Sequence, residues 1–305
     1  MTKRRGRALG YVLIAALCGC SAQQHPTADE YFTEASTNFQ LGAYPRSVEL
    51  YREMLDQYPF SPHSEDAELL IGHAHYLNNS CAEAVAVFTD FQRRHPTSPY
   101  LPFVAYLLGR CYEKQMRPPD RDQSSSQNAN VQYQAVAQQF PDSPFADLAH
   151  ENMTRCRATL AEHELLIADF YSRRKNTKAA EYRLIDLVNR YQDSEVAATA
   201  LYDLGELYQE GGNKEAAVLA YAAVTAHYPD NEMAGKARAA LAVLAPDEER
   251  PLGDPLVVLK AQSGRSRTLA VAQIVKVPGL EPGQSSPPAG GPGMGLPSFG
   301  GFNRY

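Results

Sequence analysis

Residues Leu201 to Pro229 read LYDLGELYQEGGNKEAAVLAYAAVTAHYP. Two amphipathic stretches flank Gly211-Gly212-Asn213, each with apolar residues at three- and four-residue spacing, the pattern of a helix with one buried face. With Leu201 at position 4 of a 34-residue helix-turn-helix unit, Leu204 and Gly205 fall at 7 and 8, Tyr208 at 11, Ala217 at 20, Tyr221 at 24 and Pro229 at 32. Gly205 and Ala217 are small, so two helices can cross closely there. Leu201, Leu204, Tyr208 and Tyr221 fill the space between them. Pro229 cannot continue a helix and ends the second one. One such unit cannot bury its apolar face alone, so the stretch requires neighbours.

The neighbours repeat an aromatic-proline stop. Tyr58-Pro59, His95-Pro96, Phe140-Pro141 and Tyr228-Pro229 share it, and Tyr191-Gln192 keeps the aromatic residue. Counting back from these stops aligns Ala35, Ser47 and Tyr51; Gly72, Ala84 and Phe88; Gly109, Ala129 and Tyr133; and Ala168, Ala180 and Leu184. This is the tetratricopeptide pattern. The third unit is eight residues longer, and the insert lies within Met116 to Asn128, whose Pro, Asp, Ser, Gln and Asn suit a loop. The joint from Pro141 to Ala168 is 14 residues longer than its equivalents, and Asp147 to Glu162 contain no Pro or Gly. That excess is close to four helical turns. The chain therefore reads as all-α: an α-solenoid of five tetratricopeptide-like repeats, three plus two joined by a long helix, with a disordered C-terminal tail. The boundaries are 29–145 for repeats 1–3, 146–245 for the long helix with repeats 4–5, and 246–305 for the Pro/Gly-rich tail. Within that tail, Pro255 to Lys260 and Leu269 to Val277 are β-prone, which leaves a marginal hairpin or a partner-pairing strand as the alternative to disorder.

Residues 1–19 read as a signal peptide: Lys3, Arg4, Arg5 and Arg7 precede a short apolar run from Tyr11 to Cys18. Leu17-Cys18-Gly19-Cys20 resembles a bacterial lipobox, which would place a diacylglycerol and further acyl chains on Cys20 and leave 20–28 as a lipidated tether; the alternative is an ordinary cleaved signal. Ser21 follows, not the aspartate that often retains lipoproteins in the inner membrane, so the expected location is the periplasmic face of the outer membrane. Removing the signal takes away four basic residues and no acidic ones, moving the formal net charge from −6 to −10. Such an acidic chain is expected to bind no nucleic acid. Of the five cysteines, Cys81, Cys111 and Cys156 remain beyond the lipobox. Cys81 falls in a turn, Cys111 on a first helix and Cys156 on the long connecting helix, and the three read as unpaired packing residues, with one bridge as the alternative.

No catalytic constellation is legible. His73 and His75 are two apart on a helix and point to different faces, so they cannot share a metal. There is no G-x-S-x-G, Walker loop or CxxC; the expectation is no enzyme, no cofactor and no metal. What remains is surface. The positions of the first helices that line the concave face are Phe32, Ser36, Phe39; Leu69, His73, Tyr76; and Phe103, Tyr106, Arg110, Glu113. Exposed aromatic residues in a groove suit an extended or helical peptide, unless connecting helices cover them.

Tyr58-Pro59-Phe60-Ser61-Pro62, His95-Pro96-Thr97-Ser98-Pro99, Asp120-Arg121-Asp122-Gln123, the run from Phe140 to Phe145 and LAEHELLIADFY from Leu160 to Tyr171 together resemble the BamD family of outer-membrane β-barrel assembly lipoproteins. The resemblance covers the lipobox and about 30–240. It implies that the N-terminal repeats receive unfolded barrel precursors, with Tyr58 at a substrate-contacting position and a groove of Phe32, Phe39, Tyr58, Phe60, Leu69, Tyr76, Tyr106 and Arg110. It implies that the C-terminal repeats dock on a POTRA domain of BamA, with Arg183 at the position of a pairing arginine, and that other BAM lipoproteins are partners. Arg183 falls one residue before the inward-pointing Leu184, so it reads as turned to the outer surface. The chain departs from the family at Ser61, often Gly there, and at Pro45, where Arg46 supplies the basic residue. The runner-up function is a different periplasmic repeat lipoprotein that coordinates cell-wall synthesis or envelope constriction.

Overall fold

The computed structural model describes residues 25–245 and 253–262. All regular structure among them is helical. The helices pair as α1 (Ala28–Gln40) with α2 (Tyr44–Gln57), α3 (Ser64–Leu77) with α4 (Cys81–Arg94), and α5 (Leu101–Glu113) with α6 (Ser124–Gln139). The long α7 (Ala146–Arg173) pairs with α8 (Thr177–Arg190), and α9 (Val196–Glu210) with α10 (Lys214–His227); α11 (Glu232–Leu244) closes the stack. Each helix packs on the next in chain order, so the core is a series of joined clusters rather than one centre, as expected of a solenoid.

Two local rules build this stack. Within units 1, 2, 4 and 5 the turn has three residues, and its middle residue takes positive φ: Gly42 (76°), Asn79 (60°), Lys175 (58°) and Gly212 (74°). Between units, the aromatic stop residue leaves the helix: Tyr58, His95, Phe140, Tyr191 and Tyr228 have φ from −121° to −132°. Three residues on, a small polar side chain starts the next helix. Ser61, Ser98, Ser143 and Ser194 accept from the amide two residues later at 3.2, 3.1, 3.2 and 3.3 Å, and Asn231 does so at 2.9 Å.

The close crossings are real. A Cβ on Gly72, Gly109 or Gly205 would lie 2.5 Å from the ring of Phe88, Tyr133 or Tyr221 respectively. Each ring packs closely on the glycine of its own unit.

Three expectations need correction. Of the third-unit insert only 116–123 is loop; Ser124 to Asn128 extend α6. The loop is drawn in by the buried amide of Gln123, which donates to the carbonyls of Pro118 (2.8 Å) and Arg121 (3.1 Å), and by a 2.6 Å contact from His163 Nδ1 of α7 to the Pro119 carbonyl. Cys81 is the first residue of α4 rather than part of the turn. Residues 255–262, expected as strand or disorder, form a helix, α12. Its Leu256 and Leu259 are buried against Ile185, Val188, Leu201 and Leu204, and Asp254 caps it by accepting from the Leu256 amide at 2.9 Å. An apolar cleft between α8 and α9 thus overrides β-propensity. The second β-prone run and the Gly-rich end lie outside the described residues, as do the signal peptide and Cys20. Cys81, Cys111 and Cys156 are free.

Candidate functional site

The odd-numbered helices turn their aromatic residues toward one another along one face of the N-terminal half. Phe39 of α1 meets His73 of α3 with ring centroids 5.3 Å apart, and His73 meets Phe103 of α5 at 5.1 Å. Phe103 meets Phe145, at the start of α7, at 5.5 Å, and Phe145 stacks on Tyr106 at 5.4 Å. Tyr76 flanks His73 at 6.5 Å. Every member is half-buried, so each ring keeps one part packed and one part in water. Contacts of this kind contribute about 0.5–1.5 kcal/mol beyond area burial, which makes the ladder a preformed surface rather than a set of loose side chains. Burial lowers the His73 pKa below its ordinary value, so near neutral pH its imidazole is uncharged and serves as one more ring.

Polar groups close one end of the ladder. Glu113 accepts from the Tyr133 hydroxyl at 2.6 Å and pairs with Arg155 Nη2 at 2.7 Å. Burial first, then the adjacent carboxylate, push the Tyr133 pKa far up, so the phenol stays a donor. Arg110 stands beside this group with its Nε 3.5 Å from Glu113 Oε2 and no hydrogen bond to it. Tyr106 accepts from Asn152 Nδ2 at 3.4 Å.

The expected groove residues divide. Phe39, Tyr76, Tyr106 and Arg110 lie on or beside the ladder. Phe32 forms a separate pair with His63, stacked at 4.5 Å, and Tyr58 donates its hydroxyl to the Pro26 carbonyl at 2.9 Å. Leu69 is 7% exposed and belongs to the core with Phe88, Phe91 and Leu108, so it offers no contact surface. Phe60 is 98% exposed at the joint between α2 and α3 and makes no ring contact among the described residues. Phe145 is the member that sequence reasoning misses. It closes the Phe-Pro-Asp-Ser-Pro-Phe run, where the Ser143 turn brings a sixth residue back over α5, so the repeat of that turn is the available signal.

Arg183 also differs from expectation. It points toward α7, where its Nη1 lies 3.1 Å from Glu164 Oε2. Glu164 also holds Arg190 at 2.7 Å, and Arg190 pairs with Asp186 at 2.9 Å. The side chain of Arg183 is still 36% exposed. Its register reads as turned to the outer surface, but the length of α7 supplies a neighbour that a standard repeat lacks. In the last unit, burial raises the Asp203 carboxyl to about 6, with Glu206 and Asp169 pushing the same way and Lys236 opposing.

Among the described residues no group of three His, Cys, Asp or Glu could hold a metal, and no helix is long and apolar enough to cross a membrane.

Comparison with known proteins gives a consistent result. A family model described as YfiO, outer membrane lipoprotein, matches residues 24–222. The outer membrane protein assembly factor BamD of Vibrio cholerae is 30% identical over 185 residues, covering 56% of this chain and 77% of that protein. The Pasteurella multocida protein of the same name is 29% identical over 188 residues, covering 58% and 72%. That of Caulobacter vibrioides is 28% identical over 178 residues, covering 55% and 58%, so the chain spans less than two thirds of that relative.

Proposed function

The chain belongs to the YfiO family of outer membrane lipoproteins, whose BamD relatives are named outer membrane protein assembly factors, and we propose that it is itself such a factor. In this reading it is a non-catalytic scaffold, held on the periplasmic face of the outer membrane by acyl chains on Cys20. The two halves divide the work. The N-terminal half receives segments of unfolded β-barrel precursors, and the C-terminal half docks on a POTRA domain of BamA beside other BAM lipoproteins. Family membership favours this over a role in cell-wall synthesis or constriction.

The observation that carries the reading is the ring ladder from Phe39 to Tyr106. A barrel strand alternates apolar and polar side chains and has unpaired backbone groups before it folds. Half-exposed rings spaced along one face give such a segment apolar contact at intervals while its backbone stays hydrated. Arg110, beside the ladder, adds a cation for a carboxylate.

Arg183 is the proposed BamA contact. Its guanidinium shares Glu164 with Arg190, so exchange for an acidic group on the partner would leave Glu164 neutralised by Arg190. That arrangement lowers the desolvation penalty of the switch, because no buried carboxylate is left unpaired. Co-purification from detergent-solubilised membranes tests the whole reading: BamA is expected with the tagged chain and is expected to be depleted with Arg183→Glu. Recovery of cell-wall synthases in place of BamA would refute it.

A further inference from the structure

The joints that follow the five units, the last of them leading to α11, are one structure repeated, and their sequences can be compared within this chain. The residue two after the aromatic stop is Thr97, Asp142, Asp193 and Asp230 at four of them. At the first joint it is Phe60, 98% exposed between the exposed Pro59 and Pro62. Since the turn geometry is the same, with the Ser61 amide donating to the Tyr58 carbonyl at 3.1 Å as Ser98, Ser143 and Ser194 do at their joints, the fold does not require an aromatic residue there.

What distinguishes the first joint is its neighbour. The Tyr58 hydroxyl holds the Pro26 carbonyl at 2.9 Å, His63 Nε2 lies 3.0 Å from Asp29 Oδ1, and the His63 ring stacks on Phe32. These contacts fix the 58–63 turn to Pro26, just before α1, and to the first turns of α1. Only five residues separate Pro26 from Cys20, so the six steps of chain span roughly 20 Å at most. We infer that the first joint rests on the lipid surface that holds the N-terminus, with Phe60 seated among the headgroups and upper acyl chains. The inference rests on the lipid anchor at Cys20. Phenylalanine is among the apolar side chains that interfacial segments bury at the headgroup–acyl boundary. Asp29 and Glu30 lie at the start of α1 close by, so the contact is apolar rather than electrostatic and does not depend on anionic lipid. Phe60 thus sets the orientation of the solenoid at the membrane, and it leaves the precursor groove described above to the ladder.

The chain contains no tryptophan, so one substitution gives a clean reporter. Full-length acylated protein carrying Phe60→Trp is reconstituted into phosphatidylethanolamine vesicles containing phosphatidylcholine brominated on its acyl chains. Leu41→Trp is the control: Leu41 is 77% exposed and sits at the other end of the 13-residue α1, about 20 Å away. Emission from Phe60→Trp is expected to shift to shorter wavelength and to lose most of its intensity to the brominated lipid, while emission from Leu41→Trp stays as in water. Phe60→Trp protein that floats with vesicles yet remains unquenched overturns this inference alone. A shift that appears in Phe60→Trp only on adding a barrel-precursor peptide assigns the residue to the substrate instead and overturns it too. Failure to float refutes the anchor and the inference with it.

Discussion

Gly205→Ala decides whether the helix crossings are as tight as described. In an exposed helix the change is favourable by about 1 kcal/mol, because alanine is the better helix former. In α9 the new Cβ would lie 2.5, 2.8 and 2.8 Å from Cε1, Cδ1 and Cζ of Tyr221. That ring is 1% exposed and packed on all sides, so it cannot swing into solvent, and either the ring or the α9–α10 spacing must give. Overpacking costs about 1–3 kcal/mol, and with three ring atoms inside 3.0 Å of the new Cβ the cost lies in the upper part of that range, about 2–3 kcal/mol. The clash outweighs the propensity gain, and the variant is destabilised by about 1–2 kcal/mol net. For a chain of this length that is a fall in Tm of roughly 2–8 °C. Gly235→Ala is the matched control: Gly235 lies in α11 with nothing within 4 Å of its added Cβ, so its Tm is expected to rise. Thermal unfolding followed by circular dichroism reads both. The equivalent pair in unit one is Ala35 and Tyr51, both fully buried, so the architecture accepts a Cβ only where the helices are set for it. A Gly205→Ala chain as stable as wild type, alongside a stabilised Gly235→Ala chain, would refute the packing argument.

Three further predictions concern the C-terminal half. Asp203 has a folded pKa of about 6 against an ordinary 3.8; its contribution is most favourable below about 4 and is lost as pH rises through about 6, so Asp203→Asn is expected to raise Tm more at pH 7.5 than at pH 4.5, and equal shifts would contradict the burial. Leu259→Asp removes one of two leucines that seat α12, at a loss of about 1.5–3 kcal/mol, and limited proteolysis should then cut near 255–262 at a site protected in the wild type. Arg183→Leu leaves Glu164 paired to Arg190, so its Tm is expected to fall by no more than roughly 4 °C, the shift for about 1 kcal/mol in a half-exposed pair, while recovery of BamA drops; a chain that unfolds instead would make Arg183 a structural residue.

Much of this fold can be read from spacing alone, because each repeat obeys local rules. A glycine 16 residues before an aromatic ring marks a crossing in units two and five, an aromatic-proline pair marks a stop, and a serine three residues after that aromatic marks the next start. The long α7 is legible as a joint that is too long and free of breakers. What escapes such reading depends on neighbours distant in sequence. Pro255 to Lys260 reads as disordered tail or as a β-prone run until the cleft between α8 and α9 is present to receive Leu256 and Leu259. Leu69 falls at a groove position by register, yet packing between units two and three buries it. Arg183 faces outward in a standard unit, but here the extension of α7 places Glu164 beside it. Phe145 completes the ladder across a joint, which no single-repeat register contains.

The central claim is that the ladder face receives barrel precursors, and site-specific photo-crosslinking in living cells tests it most directly. A photo-reactive residue replaces Tyr106, on the ladder, or Val131, which is 56% exposed on the second helix of the same unit. Adducts with unfolded outer-membrane barrel precursors are expected from position 106 and not from 131. Precursor adducts from 131 with none from 106 would contradict the account.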